Sequence, residues 1–352
     1  MTKCTGKLWM IATIAAMTFA SCSNEEVIDT PATGEELALS FGTYVGNSTL
    51  RASATDLLAL KASGAGFYVL AWETGATLWA SYPVPATPNF MNDVNVSWSG
   101  SAWNYSPVKY WPGKDGSGNY GKVSFFGYAP KTSSVAVAAS GGSDPEITFT
   151  TPDLAADQID LLADVLTDLT YNTSPMNLGK VNFQFEHLLS KIGFNAKLAA
   201  QYTDATVTVT KLEITYAANK IKKDGIYEFL ADSWTPTGLT MSGTDPVSGA
   251  SDISVTLNNS SSPTASAIDN GNYLILLPQA TAANDITAEL SYTVTNGGTP
   301  KNYTIEVGLP AVTWLSGKQY TYTFNLTLNS VVFDPNITVD NWDTSPGTIN
   351  VP

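Results

Sequence analysis

The stretch Gln319–Asn329, QYTYTFNLTLN, alternates without a slip: Tyr320, Tyr322, Phe324, Leu326 and Leu328 share one parity, and Gln, Thr and Asn hold the other. Successive side chains of a β-strand point to opposite faces, so a period of two marks a strand with one face in a core. The signal recurs. Leu37, Leu39, Phe41, Thr43 and Val45 alternate with Ala38, Ser40 and Gly42. Val123 and Phe125 alternate within KVSFFGYAP, and Val181, Phe183 and Phe185 alternate with Asn182, Gln184 and Glu186. Residues 207–216, VTVTKLEITY, read as a strand whose apolar phase slips between Val209 and Leu212, which predicts a bulge. Tyr273–Leu277, YLILL, is a continuous apolar run before Pro278, as for a strand buried on both faces. Ser291–Thr295 and Lys301–Val307 flank NGGTP, a hairpin signal.

Many short strands punctuated by Gly, Asn and Pro predict an all-β chain of β-sandwiches. Helix signals are few. Thr55–Lys61 has room for one or two turns. Residues 153–169, DLAADQIDLLADVLTDL, read either as an amphipathic helix or as an irregular loop leading into a strand. In a helix, Asp153, Asp157, Asp160, Asp164 and Asp168 would line one face and repel one another. At ~100–200 residues per domain the length suggests two domains. They are expected at 37–180 and 181–352, with Pro175 and Gly179 marking the passage before Val181.

The N-terminus reads as an export signal. Lys3 and Lys7 precede the apolar run Leu8–Ala20, which is shorter than the ~20 residues a spanning helix needs. Ala20-Ser21-Cys22 resembles a bacterial lipobox, in which the cysteine sulfur receives a diacylglycerol and becomes the first residue; Phe19 departs from the usual aliphatic. The plainer alternative is an ordinary secretory signal with an incidental cysteine. The expectation is a lipoprotein signal peptide over 1–21, lipidation at Cys22 and a flexible tether over 22–36. Cutting there removes Cys4, so the mature chain has no internal disulfide and relies on core burial. The net charge of −14 becomes more acidic once Lys3 and Lys7 leave, which argues against nucleic acid as a partner.

Catalytic chemistry finds little support. The single histidine, His187, shares the parity of Val181, Phe183 and Phe185, which predicts a core position. No nucleophile elbow is present, and no glycine loop for phosphate. His and Cys are too few for the common zinc sites. The aspartates of 153–168 lack the spacing of a calcium loop, and a carboxylate pair for glycoside hydrolysis cannot be judged from sequence. Trp72, Trp79, Trp98, Trp103 and Trp111 suit either sugar stacking or cross-strand packing. The reading is therefore no enzyme, no cofactor and no metal. One residue stands out by rarity: Arg51 is the only arginine among 17 basic residues, just after the first strand, and offers an arginine-directed protease a single address.

The lipobox-like start, TLRAS after the first strand, YWPGK, VSFFGYAP, VNFQFEHLLSKIGF and the closing ITVDNW, in that order, resemble the fimbrillins, subunits of type V pili. The resemblance runs from Cys22 to the C-terminus. It implies two tandem transthyretin-like, Greek-key β-sandwich domains, exported as a surface lipoprotein of the cell outer membrane before entry into a fimbrium. It implies polymerisation by donor-strand exchange. An arginine-specific surface protease would cut between Arg51 and Ala52, releasing the strand that carries Leu37, Leu39, Phe41 and Val45. A neighbour's C-terminal segment, 331–352, would fill the groove, with Val331, Phe333, Ile337 and Val339 as plugs and Trp342 beyond a phase change. The implied partners are other fimbrillin subunits, that protease, the outer membrane through the lipid, and a host or glycan receptor the sequence does not name. Anchor, tip adhesin and surface glycan-binding lipoprotein remain alternatives to a polymerising subunit.

Overall fold

The computed structural model describes residues 37–45, 57–62, 64–139, 144–172, 179–247, 253–328, 331–333 and 337–342. The expected leader and tether, with Cys22, and the expected cut site, Arg51 and Ala52, lie outside the described residues. Strand accounts for 54% and helix for 4%, which makes the class all-β.

The chain opens with β1 (Ser40–Val45), α1 (Leu57–Leu60), β2 (Phe67–Gly75), β3 (Met91–Trp98), β4 (Trp103–Asn104) and β5 (Lys122–Ala129). β6 (Val135–Ala139), β7 (Pro145–Thr150), β8 (Leu162–Leu169) and β9 (Lys180–His187) follow. Next come β10 (Ser190–Leu198), β11 (Ala205–Tyr216), β12 (Lys222–Glu228) and β13 (Ser233–Thr240). Short pieces succeed them: β14 (Thr244–Asp245), β15 (Val255–Thr256), β16 (Ser266–Ala267), β17 (Leu274–Leu276) and β18 (Ala280–Thr281). β19 (Ile286–Asn296), β20 (Thr299–Gly308), β21 (Val312–Thr313), β22 (Lys318–Leu326), β23 (Val331–Phe333) and β24 (Thr338–Asn341) close the order.

A seven-stranded sheet runs β1-β9-β8-β5-β2-β3-β4, and a four-stranded sheet runs β13-β12-β7-β6. β10 and β22 lead a six-stranded sheet, and β11 and β19 a five-stranded one. Three buried clusters sit among them. The first, on one face of the seven-stranded sheet, holds Phe67, Val96, Phe125 and Phe183. The second, which takes in the opposite face and the four-stranded sheet, holds Trp72, Phe126, Ile147 and Phe149. The third, between the β10/β22 and β11/β19 sheets, holds Ile192, Phe194, Val207, Leu290 and Phe324. β5 is buried on both faces, with Val123 and Phe125 in the first cluster and Phe126 and Tyr128 in the second. That is why the alternation in KVSFFGYA is blurred.

Several local expectations match the fold. The register of β11 against β19 shifts between Val209 and Lys211, where the apolar phase slips. Leu274 and Leu276 enter the third cluster while Ile275 and Leu277 enter the second, so this strand is buried on both faces. Asn296 pairs with Thr299 across a hairpin whose Gly297 (φ 58°) and Gly298 (φ 83°) both take the left-handed conformation that a primed turn requires. Residues 153–169 resolve as the second of their two readings: a 3-10 turn at Ala155–Asp157, then β8.

β9 pairs with β1 and β8 in the first sheet, and β10 begins another, so the chain changes sheet at Leu188-Leu189. β12 also returns to pair with β7 of the first half, and β13 pairs with the other side of β12. Gly179 lies just before β9, which belongs to the first sheet; strand pairing is a long-range choice that local turn signals do not encode.

Candidate functional site: two sheet-edge strands

β1 is the edge strand of the seven-stranded sheet, and β9 is its one neighbour there. They run parallel, from Ser40 opposite Lys180 to Val45 opposite Phe185. Just before β1 the chain turns to a second partner: the Leu39 N–H donates to the Lys109 carbonyl, and the Trp111 N–H donates to the Leu37 carbonyl, each at 2.9 Å. The Tyr105 hydroxyl donates to the Leu39 carbonyl at 2.8 Å, and burial pushes its pKa up. The Trp111 indole N–H donates to the Gly179 carbonyl at 2.8 Å, closing the groove beside the start of β9. Tyr105, Lys109 and Trp111 carry no sequence signal for this role, because they reach β1 from a distant loop.

The side chains follow the alternation. Leu39 and Phe41 are 3% exposed and Val45 1%, whereas Ala38, Ser40 and Tyr44 are exposed. Leu37 packs half-buried on the same cluster. Phe41 lies between four rings: Phe183 stacked at 6.0 Å, and Tyr105, Phe67 and Phe125 edge-on. The Asp164 carboxylate sits between β8 and β9, accepting from the Gln184 N–H at 2.6 Å and from its own neighbour Val165 at 2.8 Å.

The C-terminal segment lies along β22 of the six-stranded sheet. β23 lies antiparallel to the far end of β22, with Phe333 opposite Phe324, and β24 lies antiparallel to its start, with Asn341 opposite Lys318. Val331 and Phe333 bound β23. Ile337 is half-buried against the third cluster, Val339 is 50% exposed, and Trp342 is 4% exposed. The structure thus holds Leu37, Leu39, Phe41 and Val45 together in one groove, and the segment containing Ile337, Val339 and Trp342 on another sheet.

Other candidate chemistry is absorbed by packing. His187 is fully buried, with Nδ1 2.8 Å from Asp160 Oδ2. Asp153 pairs with Lys223 at 2.7 Å, and Asp168 accepts from the Trp79 N–H at 2.8 Å, so the aspartates of 153–168 point to separate partners. Trp72, Trp79, Trp103 and Trp111 are buried, and half-buried Trp98 lies under the Lys61 ammonium at 4.2 Å. Packing in the first two clusters accounts for the four buried rings.

Residues 51–342 match the family described as fimbrillin-like. The chain belongs to the fimbrillin-like family. Membership puts it among fimbrial structural proteins. It is 27% identical to the fimbrium subunit Fim1C of Phocaeicola vulgatus, over 97% of this chain and 98% of that protein. The crystal structure of a fimbrial protein from Bacteroides vulgatus shares the fold, with a TM-score of 0.68 at 22% identity, over 87% of this chain and 99% of that one.

Proposed function

We propose that this chain is a structural subunit of a surface fimbrium, supports adhesion, and polymerises by protease-triggered donor-strand exchange. The exported precursor loses its leader, receives lipid at Cys22 and is held at the outer membrane. An arginine-specific protease cuts between Arg51 and Ala52. The segment carrying Leu37, Leu39, Phe41 and Val45 then leaves, and the C-terminal segment of a neighbouring subunit, drawn from 331–352, takes its place.

One observation carries this reading: β1 is an edge strand that puts three side chains into a core, and the sole arginine follows it in the sequence. Fully burying a side chain such as Leu39, Phe41 or Val45 contributes about 1.5–3 kcal/mol. That is a large part of the ~5–15 kcal/mol that stabilises a domain. The uncut chain is therefore a self-blocked monomer, and the cut chain presents an unpaired edge with vacant pockets that an extended segment can fill. Head-to-tail filling does not close on itself, so it builds a filament.

The test is cleavage in solution. Trimming the purified chain at Arg51 produces high-mass ladders that resist detergent, with an N-terminus at Ala52, while Arg51→Ala stays monomeric. Cut protein that remains monomeric would overturn the reading.

A further inference from the structure

β9 is the wall against which β1 lies, and its attachment is lopsided. β1 pairs with it at six positions, from Lys180 to Phe185. β8 pairs with it at two, Leu162 opposite His187 and Ala163 opposite Glu186. Loss of β1 therefore removes the ladder from most of β9; the ladder that remains is at its His187 end, with the Gln184 N–H held beside it by the Asp164 carboxylate.

That end is firmly built. His187 is bound to Asp160, and the Leu188 N–H donates to the Leu161 carbonyl at 2.8 Å. The indole of Trp342 lies flat on the His187 imidazole, with centroids 4.4 Å apart and planes 1° apart. The Lys191 ammonium is 5.9 Å from the indole, at the outer limit for attraction to an aromatic face. Trp342 is tied by its backbone as well: its N–H donates to the Gly317 carbonyl at 2.9 Å, and the Gly317 N–H donates to the Leu189 carbonyl at 3.0 Å. Its ring belongs to the second buried cluster with Leu188 and Leu189. Three residues earlier, Val339 is half exposed. The span matched to the family closes on Trp342 itself.

We propose that Trp342 is a pin: by stacking on His187 it fixes the end of β9, and it stays in its own subunit while strands are exchanged. The second half rests on the strand-exchange reading. A subunit inside a filament donates its tail and receives a neighbour's together. If donation carried Trp342 away, β9 would lose its end support in the subunit whose groove is being filled. Trp342 is thus a positioning residue for the acceptor groove, acting through His187.

Two experiments test this. In the uncut chain, hydrogen exchange of the amides of residues 183–187 is compared for Trp342→Phe, which keeps a ring for stacking, and Trp342→Leu, which keeps only apolar bulk. The pin predicts at least tenfold faster exchange for the Leu variant and less than threefold for the Phe variant; equal protection in the two would overturn it. In the second, Cys4 and Cys22 are replaced by serine, and Gln319→Cys and Asp340→Cys, which face each other across β22 and β24, are oxidised to tie the segment to its own sheet. After cleavage at Arg51, ladders of equal yield with and without the cross-link support the pin. Ladders only after reduction mean that the segment is surrendered, and the proposal fails. No ladders in either state counts against strand exchange itself, while the exchange rates still decide whether Trp342 holds β9.

Discussion

Phe41 of the first strand stacks on Phe183 of its neighbour, with ring centroids 6.0 Å apart and planes 9° apart. Phe183 continues the stack onto Phe185 at 5.3 Å. Removing the Phe41 ring leaves a cavity in this cluster, at a cost of about 3–5 kcal/mol. Phe41→Ala should therefore lower the midpoint of chemical unfolding. If strand exchange operates, it should also speed ladder formation after cleavage, because the resident strand leaves more readily. Unchanged stability would mean that Phe41 is not the anchor of its strand.

Gly127 faces the same ring from below. A Cβ there would come within 2.9 Å of Phe183 Cε1, closer than carbon atoms approach. Gly127→Ala should displace Phe183, loosen β1 and cost about 1–3 kcal/mol. Hydrogen exchange over residues 40–45 is the readout, and protection there should fall more than in β11 or β19.

Trp111 donates its indole N–H to the Gly179 carbonyl from a buried position. Trp111→Phe keeps much of the apolar bulk but leaves that carbonyl only the long 3.4 Å bond from the Ser40 N–H, so stability should drop by about 0.5–1.5 kcal/mol. Thermal unfolding of the uncut chain measures it, and a shift within error would show that water reaches Gly179.

Asp164 supplies a pH dependence with a definite sign. Burial, opposed by the N–H groups of Gln184 and Val165, raises its pKa to about 6, with Glu186 adding to the rise. In an unfolded chain an aspartate titrates near ~3.9. Between these values the folded state holds the extra proton, so stability from this group is present at the acid end and is lost as pH rises through about 6. Relative to Asp164→Asn, the wild-type chain should lose about 1–2 kcal/mol between pH ~4 and ~7, allowing for partial solvent access. A difference that is flat across this window, or that grows the other way, would refute it.

Cleavage specificity gives a last check on the proposed cycle. Arg51→Lys should block an arginine-directed enzyme but restore ladders when a lysine-directed enzyme is supplied to a folded chain. If other lysines are cut first, N-terminal mapping will show starts other than residue 52.

Alternation by itself determined a great deal. The parity of 37–45, of 181–187 and of 319–329 named the faces that are buried, because a strand's side chains obey a period of two wherever the strand lies. The phase slip at Val209 and the paired glycines at 297–298 marked a bulge and a turn for equally local reasons. Only the tertiary structure decided which strands meet. It set β9 beside β1, returned β12 to β7, and brought Trp342 onto His187 across 155 residues of chain. It also chose strand over helix for 162–169, where apolar neighbours on β5 gave Leu162, Val165 and Leu166 a surface that an isolated segment lacks. Pairing between distant strands is settled by complementary faces and ladder bonds in three dimensions, and a linear pattern specifies the face without naming the partner.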